Sequence, residues 1–180
     1  LGDTNEYIQP KVKIEISCMS MDEPYENRTL TSLIYDSFNE VDDSTQCIIP
    51  TVLPIRTFLE KAFLLNEEYQ KKVPRSERMS RHLYDIERLM DTCSGAAIND
   101  AELYKNIIEH RKKFYHISSV DYESDKREQI KIWPIGEIEQ LFKEDYNAMI
   151  ESFIYNENPL TFVQLKERIL ELEAKFRNDV

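Results

Sequence analysis

Apolar residues recur at helical spacing through most of this chain, most clearly in residues 55–91. There Ile55, Phe58, Leu59, Ala62, Phe63 and Tyr69 form one stripe, and Met79, Leu83, Ile86 and Met90 form a second. The spacing predicts two amphipathic helices joined by a short basic turn that contains Pro74, with Ser76 placed to cap the second helix. Lys61 falls at the margin of the first stripe. His82 and Asp85, three residues apart, share one edge of the second. A lysine and an acid at the margins of two buried faces can meet in a cleft, or in an ordinary boundary salt bridge.

Upstream the period changes from helical to alternating. In residues 11–20, Val12, Ile14, Ile16 and Cys18 alternate with Lys13, Glu15 and Ser17, which predicts a strand with one buried and one polar face. Residues 30–38 and 47–52 are weaker extended candidates, separated by an acidic loop. Downstream the pattern stays helical. Asn99 or Asp100 caps a third helix running to about Tyr115, a polar connection spans 121–131, and Pro134 opens a fourth helix reaching about Tyr155. Thr161 begins the last helix, with Gln164 completing a capping box and Phe162, Leu165, Ile169, Leu172 and Phe176 forming its seam. The fold class is α+β, mainly α: a few N-terminal strands followed by a C-terminal bundle of five helices.

Composition narrows the function. Three glycines in 180 residues leave no glycine-rich nucleotide loop and favour helices. The three cysteines, Cys18, Cys47 and Cys93, have no metal-like spacing and fit free thiols in a reducing, cytoplasmic compartment. No apolar run approaches the ~20 residues of a membrane span. The net charge of −11 argues against broad nonspecific nucleic-acid binding, yet Lys71, Lys72, Arg75, Arg78, Arg81 and Arg88 gather around the turn between the two key helices. That cluster is a candidate phosphate-facing surface. His110, Arg111, Lys112 and Lys113 read instead as cations at a helix C-terminus.

Single residues offer weaker signals. Glu15 reads as a metal-binding carboxylate on a rigid strand or as a solvated strand residue, and the second reading is the commoner. Asp85 has Arg81 four residues earlier, so a surface helix pair would account for it. Asp145 falls inside the apolar stripe of Ile138, Leu141, Phe142 and Met149, which implies burial and therefore a partner. Arg56 is the first choice, ahead of Arg81 and Lys61. His110 and His116 have no partner at ligand or triad spacing.

Five segments in order, VKIEIS (12–17), PIRTFLEK (54–61), RHLYDIERL (81–89), DYNAM (145–149) and PLTFVQL (159–165), resemble the AbiEii/AbiGii toxin nucleotidyltransferases of abortive-infection and toxin–antitoxin systems. The likeness corresponds to the C-terminal two-thirds of that family. It implies that residues 1–53 are the end of a nucleotidyltransferase-type α/β core and residues 54–180 a helical bundle domain. It also implies, for the intact protein, a nucleoside triphosphate with Mg²⁺ as cofactor, RNA (tRNA acceptor ends) as target and a cognate antitoxin as partner, with no membrane association. Carried over by position, Glu15 resembles a metal carboxylate and Lys61 the nucleotide-contacting lysine. Asp85 is similar to the final acid of an Asp-x-x-Asp motif whose first acid is replaced by His82. Lys61, Arg81 and His82 are the residues expected to meet the nucleotide.

The family's first motif, a glycine-serine or glycine-glycine turn followed by an Asp-x-Asp pair, does not occur in these residues. The expectation is a C-terminal portion of such a toxin that does not catalyse as it stands. The reading from another class is a helical interaction or regulatory module without catalysis.

Overall fold

The computed structural model describes Ile14, Ile16 and residues 23–41, 46–155 and 158–178. Most of the strand expected over 11–20, Glu15 included, lies outside the described residues.

Two strands and six α-helices make up the described chain. Strand β1 (Tyr25–Leu30) pairs antiparallel with β2 (Cys47–Val52), in a register from Tyr25 opposite Val52 to Leu30 opposite Cys47. Every residue of both strands is exposed. Between them a short helix, α1 (Leu33–Phe38), replaces the extended segment expected over 30–38. The Ser32 side chain accepts the Tyr35 amide at 3.0 Å, and that local cap overrides the strand preference of Ile34, Tyr35 and Phe38. The hairpin is fastened to the helices at its base. The Leu53 amide donates to Pro24 O at 2.9 Å, and Arg56 Nη1 to Glu23 O at 3.2 Å.

The helices follow the apolar stripes. Helix α2 (Pro54–Glu68) starts on proline, whose missing amide costs nothing in a first turn. It packs along α3 (Ser80–Asn99), and this pair is the centre of the molecule. Phe58, Leu59, Ala62 and Phe63 of α2 and Leu83, Ile86 and Met90 of α3 are fully buried. Each such Leu or Phe contributes about 1.5–3 kcal/mol.

Helix α4 (Ala101–Phe114) packs on α2. Its cap is Asp100, which accepts the Leu103 amide at 2.9 Å. Helices α5 (Glu137–Ser152) and α6 (Phe162–Asn178) close the bundle over α3. Helix α5 begins after Gly136, in the left-handed region at φ 69°, and not at Pro134. The Thr161–Gln164 capping box forms as the sequence predicts: the Thr161 amide donates to Gln164 Oε1 at 2.9 Å and the Gln164 amide to Thr161 Oγ1 at 3.3 Å.

The polar connection is more ordered than its composition suggests. Residues Tyr122–Asp125 form a 3₁₀ turn, which Asn66 of α2 meets by donating to Asp125 Oδ1 at 2.8 Å. Beneath it, Arg111 of α4 makes a two-pronged, buried ion pair with Glu67 of α2. Further along, Glu173 of α6 accepts the amides of Ile132 and Trp133 at 2.7 and 2.8 Å. Glu173 thereby satisfies two buried backbone donors that would otherwise lose their water without replacement.

Candidate functional site

Lys61 and Asp85 meet. The lysine Nζ donates to Asp85 Oδ2 at 2.7 Å across the α2–α3 interface, with the lysine side chain 23% exposed and the aspartate 40%. The margins of the two stripes therefore face one another, as helical phase requires when the stripes themselves are buried together. The partner of Asp85 is Lys61 on the neighbouring helix, not the Arg81 expected from i,i+4 spacing on its own.

His82 sits beside them, half-buried, with Nδ1 enclosed and without a hydrogen-bond partner. Burial first, then the positive charges of Lys61 and Arg81, pull its pKa down to about 4; Asp85 opposes them and Arg75 adds a smaller push. The imidazole is neutral at pH 7, and a field from three cations converges on it. Arg81 itself is exposed.

The basic turn between α2 and α3 is held from both sides by carboxylates. Glu68 is buried and accepts Lys71 Nζ at 2.6 Å, the Arg75 amide at 2.9 Å and Arg75 Nη2 at 2.9 Å. Burial alone would raise its pKa, but the bonds from Arg75 and Lys71 outweigh that and hold it at about 2. On the other side Asp145 of α5 accepts the amides of Arg78 at 2.6 Å and Ser80 at 2.9 Å, and the Ser80 hydroxyl donates to the same carboxylate. Arg78 lies at φ 56°. Asp145 is half-buried, and it meets backbone amides where a cationic side chain was expected.

Arg56, the expected partner of Asp145, is buried and donates instead to Glu60 at 2.8 Å. Ser76 does not cap α3 through its side chain; Asp145 performs that task from another helix. The roles of Glu68 and Asp145 escape sequence reasoning. The only signal was the placement of Asp145 within an apolar stripe, and backbone partners leave no trace in side-chain spacing.

Glu15 lies outside the described residues, so its relation to Lys61 and Asp85 has no geometry to report. Among the described residues no group of three or more His, Cys, Asp or Glu side chains is arranged to hold a metal ion. Cys47 is exposed and Cys93 buried, both as free thiols.

Across the α2–α3 pair a lysine, an acid and a half-buried histidine thus meet beside a basic turn. The family model for the nucleotidyl transferase AbiEii toxin of a type IV toxin–antitoxin system matches residues 2–175, and the chain belongs to that family. Comparison with curated proteins and with solved structures gives no match. A nucleotidyl transferase of this kind works on a nucleoside triphosphate with a divalent metal, and a type IV system supplies an antitoxin partner. Among the described residues no helix is long and apolar enough to cross a membrane.

Proposed function

We propose that this chain forms the triphosphate-contacting part of a toxin that transfers a nucleotide from a nucleoside triphosphate to RNA, with tRNA acceptor ends as target. In such a transfer a terminal ribose hydroxyl forms a bond to the α-phosphorus and pyrophosphate leaves. The observation that carries the reading is the Lys61–Asp85 pair at 2.7 Å beside a histidine kept neutral by burial and by the cations around it. Lys61 is assigned to the triphosphate oxygens, where a fixed ammonium offsets charge on the departing pyrophosphate. Asp85 orients that ammonium. Arg81 and His82 line the same approach, with His82 offering a hydrogen bond and no charge.

Mg²⁺ is the divalent ion proposed, and Glu15 is the carboxylate that the sequence offers it. The described residues supply no ligand set for the ion, so no step is routed through it. The Asp-x-Asp pair expected of the family is absent from the 180 residues. These residues by themselves are therefore expected to bind triphosphate without transferring it.

The test is titration of the 180-residue chain with each nucleoside triphosphate in Mg²⁺, alongside transfer of α-labelled nucleotide to a tRNA pool. Binding that weakens about tenfold or more in Lys61→Ala supports the assignment. Unchanged binding in Lys61→Ala sinks it. Robust transfer by these residues, abolished by Glu15→Ala, would relocate the metal site.

A further inference from the structure

We infer that the basic turn between α2 and α3, presented through Lys72, Arg75 and Arg81, is the surface on which the sugar–phosphate backbone of the RNA lies. This rests on the transferase reading and adds to it a place for the second substrate. Two independent features of the structure carry it.

The first is how the turn is held. Glu68 takes the Arg75 amide and one guanidinium nitrogen from inside the bundle, and Asp145 takes the Arg78 and Ser80 amides from α5. Both carboxylates bind the turn from the protein side. The side chains of Lys72 and Arg81 are exposed, and Arg75 remains 64% exposed while bonded to Glu68. Arginine has five donors in a rigid fork, so most of those on Arg75 still face solvent. A backbone fixed by acids beneath and fringed with cations above is pre-organised for an anionic chain, because little ordering remains to be done on binding.

The second feature is where the turn sits. Arg75 of the turn and Arg81 just inside α3 act on His82 together with Lys61 and against Asp85, so the turn and the candidate triphosphate site share one electrostatic field. In a chain of net charge −11, such a local positive region steers a polyanion to one place instead of coating the surface. An acidic protein surface would answer the same charges. Continuity with the residues that would receive the triphosphate favours the RNA, which has to reach them.

The experiment is fluorescence anisotropy of the whole chain with a labelled tRNA pool between 50 and 200 mM salt. Lys72→Glu/Arg75→Gln is compared with Lys112→Glu/Lys113→Gln, which alters net charge equally at the far end of α4. The turn variant is expected to bind at least tenfold more weakly at 100 mM salt. Its salt slope should also be shallower by about 0.7–0.9 for each phosphate that the variant no longer neutralises. The α4 variant should stay within about twofold of wild type.

Lys72→Glu alone, at an exposed position outside the Glu68 bonds, should show part of the loss with an unchanged melting curve, which separates binding from folding. Equal losses in both double variants, or none in the turn variant, overturn the proposal. So does a turn variant that loses an acidic polypeptide probe, polyglutamate, while keeping RNA. Triphosphate affinity is read separately: Lys61→Ala without effect there rejects the assignment of Lys61 to the triphosphate, while the RNA comparison still decides the turn.

Discussion

The carboxylate of Asp145 does for α3 what the residue before a helix usually does for its own helix. It accepts the Arg78 and Ser80 amides at 2.6 and 2.9 Å, although 65 residues separate it from Ser80. The first amides of a helix lack intrahelical acceptors, and the helix dipole places partial positive charge there, so a carboxylate is favoured twice.

Asp145→Ala is expected to cost about 1–3 kcal/mol, the range for losing a cap and stranding its donors. This is smaller than the loss of a buried ion pair, because Asp145 is half-buried and water can reach part of what it leaves. Asp145→Asn should fall between wild type and alanine. Urea unfolding of the three proteins checks the order, and an alanine variant within about 0.5 kcal/mol of wild type, the range of unremarkable surface changes, would remove the cap from the account.

Glu68 should shape the acid limb of the stability profile. Its pKa is held at about 2 by Arg75 and Lys71 against burial, below the usual 4.5. A carboxylate depressed on folding stabilises fully above its unfolded pKa, and that stabilisation drains away as pH falls from about 4.5 towards 2. Melting temperatures of wild type and Glu68→Gln should differ most above about pH 5 and converge near pH 2. A constant gap across that window would mean that the ionised carboxylate is not what holds the turn.

Asp125 should act in the opposite sense. Buried at the end of the 3₁₀ turn, it is raised to about 8, first by burial and further by Glu67, while the Asn66 amide and Arg111 partly offset this. One carboxyl oxygen accepts from Asn66, and the other has no donor. A carboxyl whose folded pKa is raised favours the folded state at low pH, and this advantage is lost as pH climbs from about 4 to about 8. Asp125→Asn keeps an acceptor for Asn66 and cannot ionise. It should melt higher than wild type at about pH 9, and the gap should shrink steadily towards pH 5. A gap that widens on acidification contradicts the sign.

Lys61 should be visible through His82. Removing the lysine charge in Lys61→Ala is expected to raise the His82 pKa from about 4, and Asp85→Ala to lower it further, because the two charges act on the ring in opposite directions. Ring-proton titration by NMR reads both. Stability should barely move in either variant, since partly exposed ion pairs contribute about 0–1 kcal/mol. A His82 titration indifferent to both substitutions would place the ring out of reach of the pair.

The helices were legible in the sequence because burial of one stripe against another is the main thing their residues do. Pro54 to Glu68, the Asp100 cap and the Thr161–Gln164 box all follow from spacing and local capping chemistry. Lys61 and Asp85 were legible as margins of two stripes, and their meeting follows once those stripes pack. Strand β1 was missed because Glu26, Asn27 and Arg28 carry no apolar alternation, its pairing with β2 being made by backbone alone. Helix α1 was read as extended because six residues with a serine cap look like a strand when half of them are β-formers. The fastening of the basic turn was invisible for a related reason: what Glu68 and Asp145 bind there is largely backbone amide, which every sequence has everywhere.

The long reach of Asp145 also bears on the order in which the bundle assembles. Helices α2 and α3 are neighbours along the chain and bury their stripes together, so they can associate early through pairings of short separation. The start of α3 is different: the Ser80 amide, with the Arg78 amide just before the helix, finds its acceptor only when α5, two helices later, has docked. Before that moment the α2–α3 turn has Glu68 on one side and water on the other, and the first turn of α3 frays. The turn that fringes the candidate site thus takes its final shape only once α5 is in place. A nascent chain still emerging from synthesis carries Lys61 well before it carries a finished surface around it.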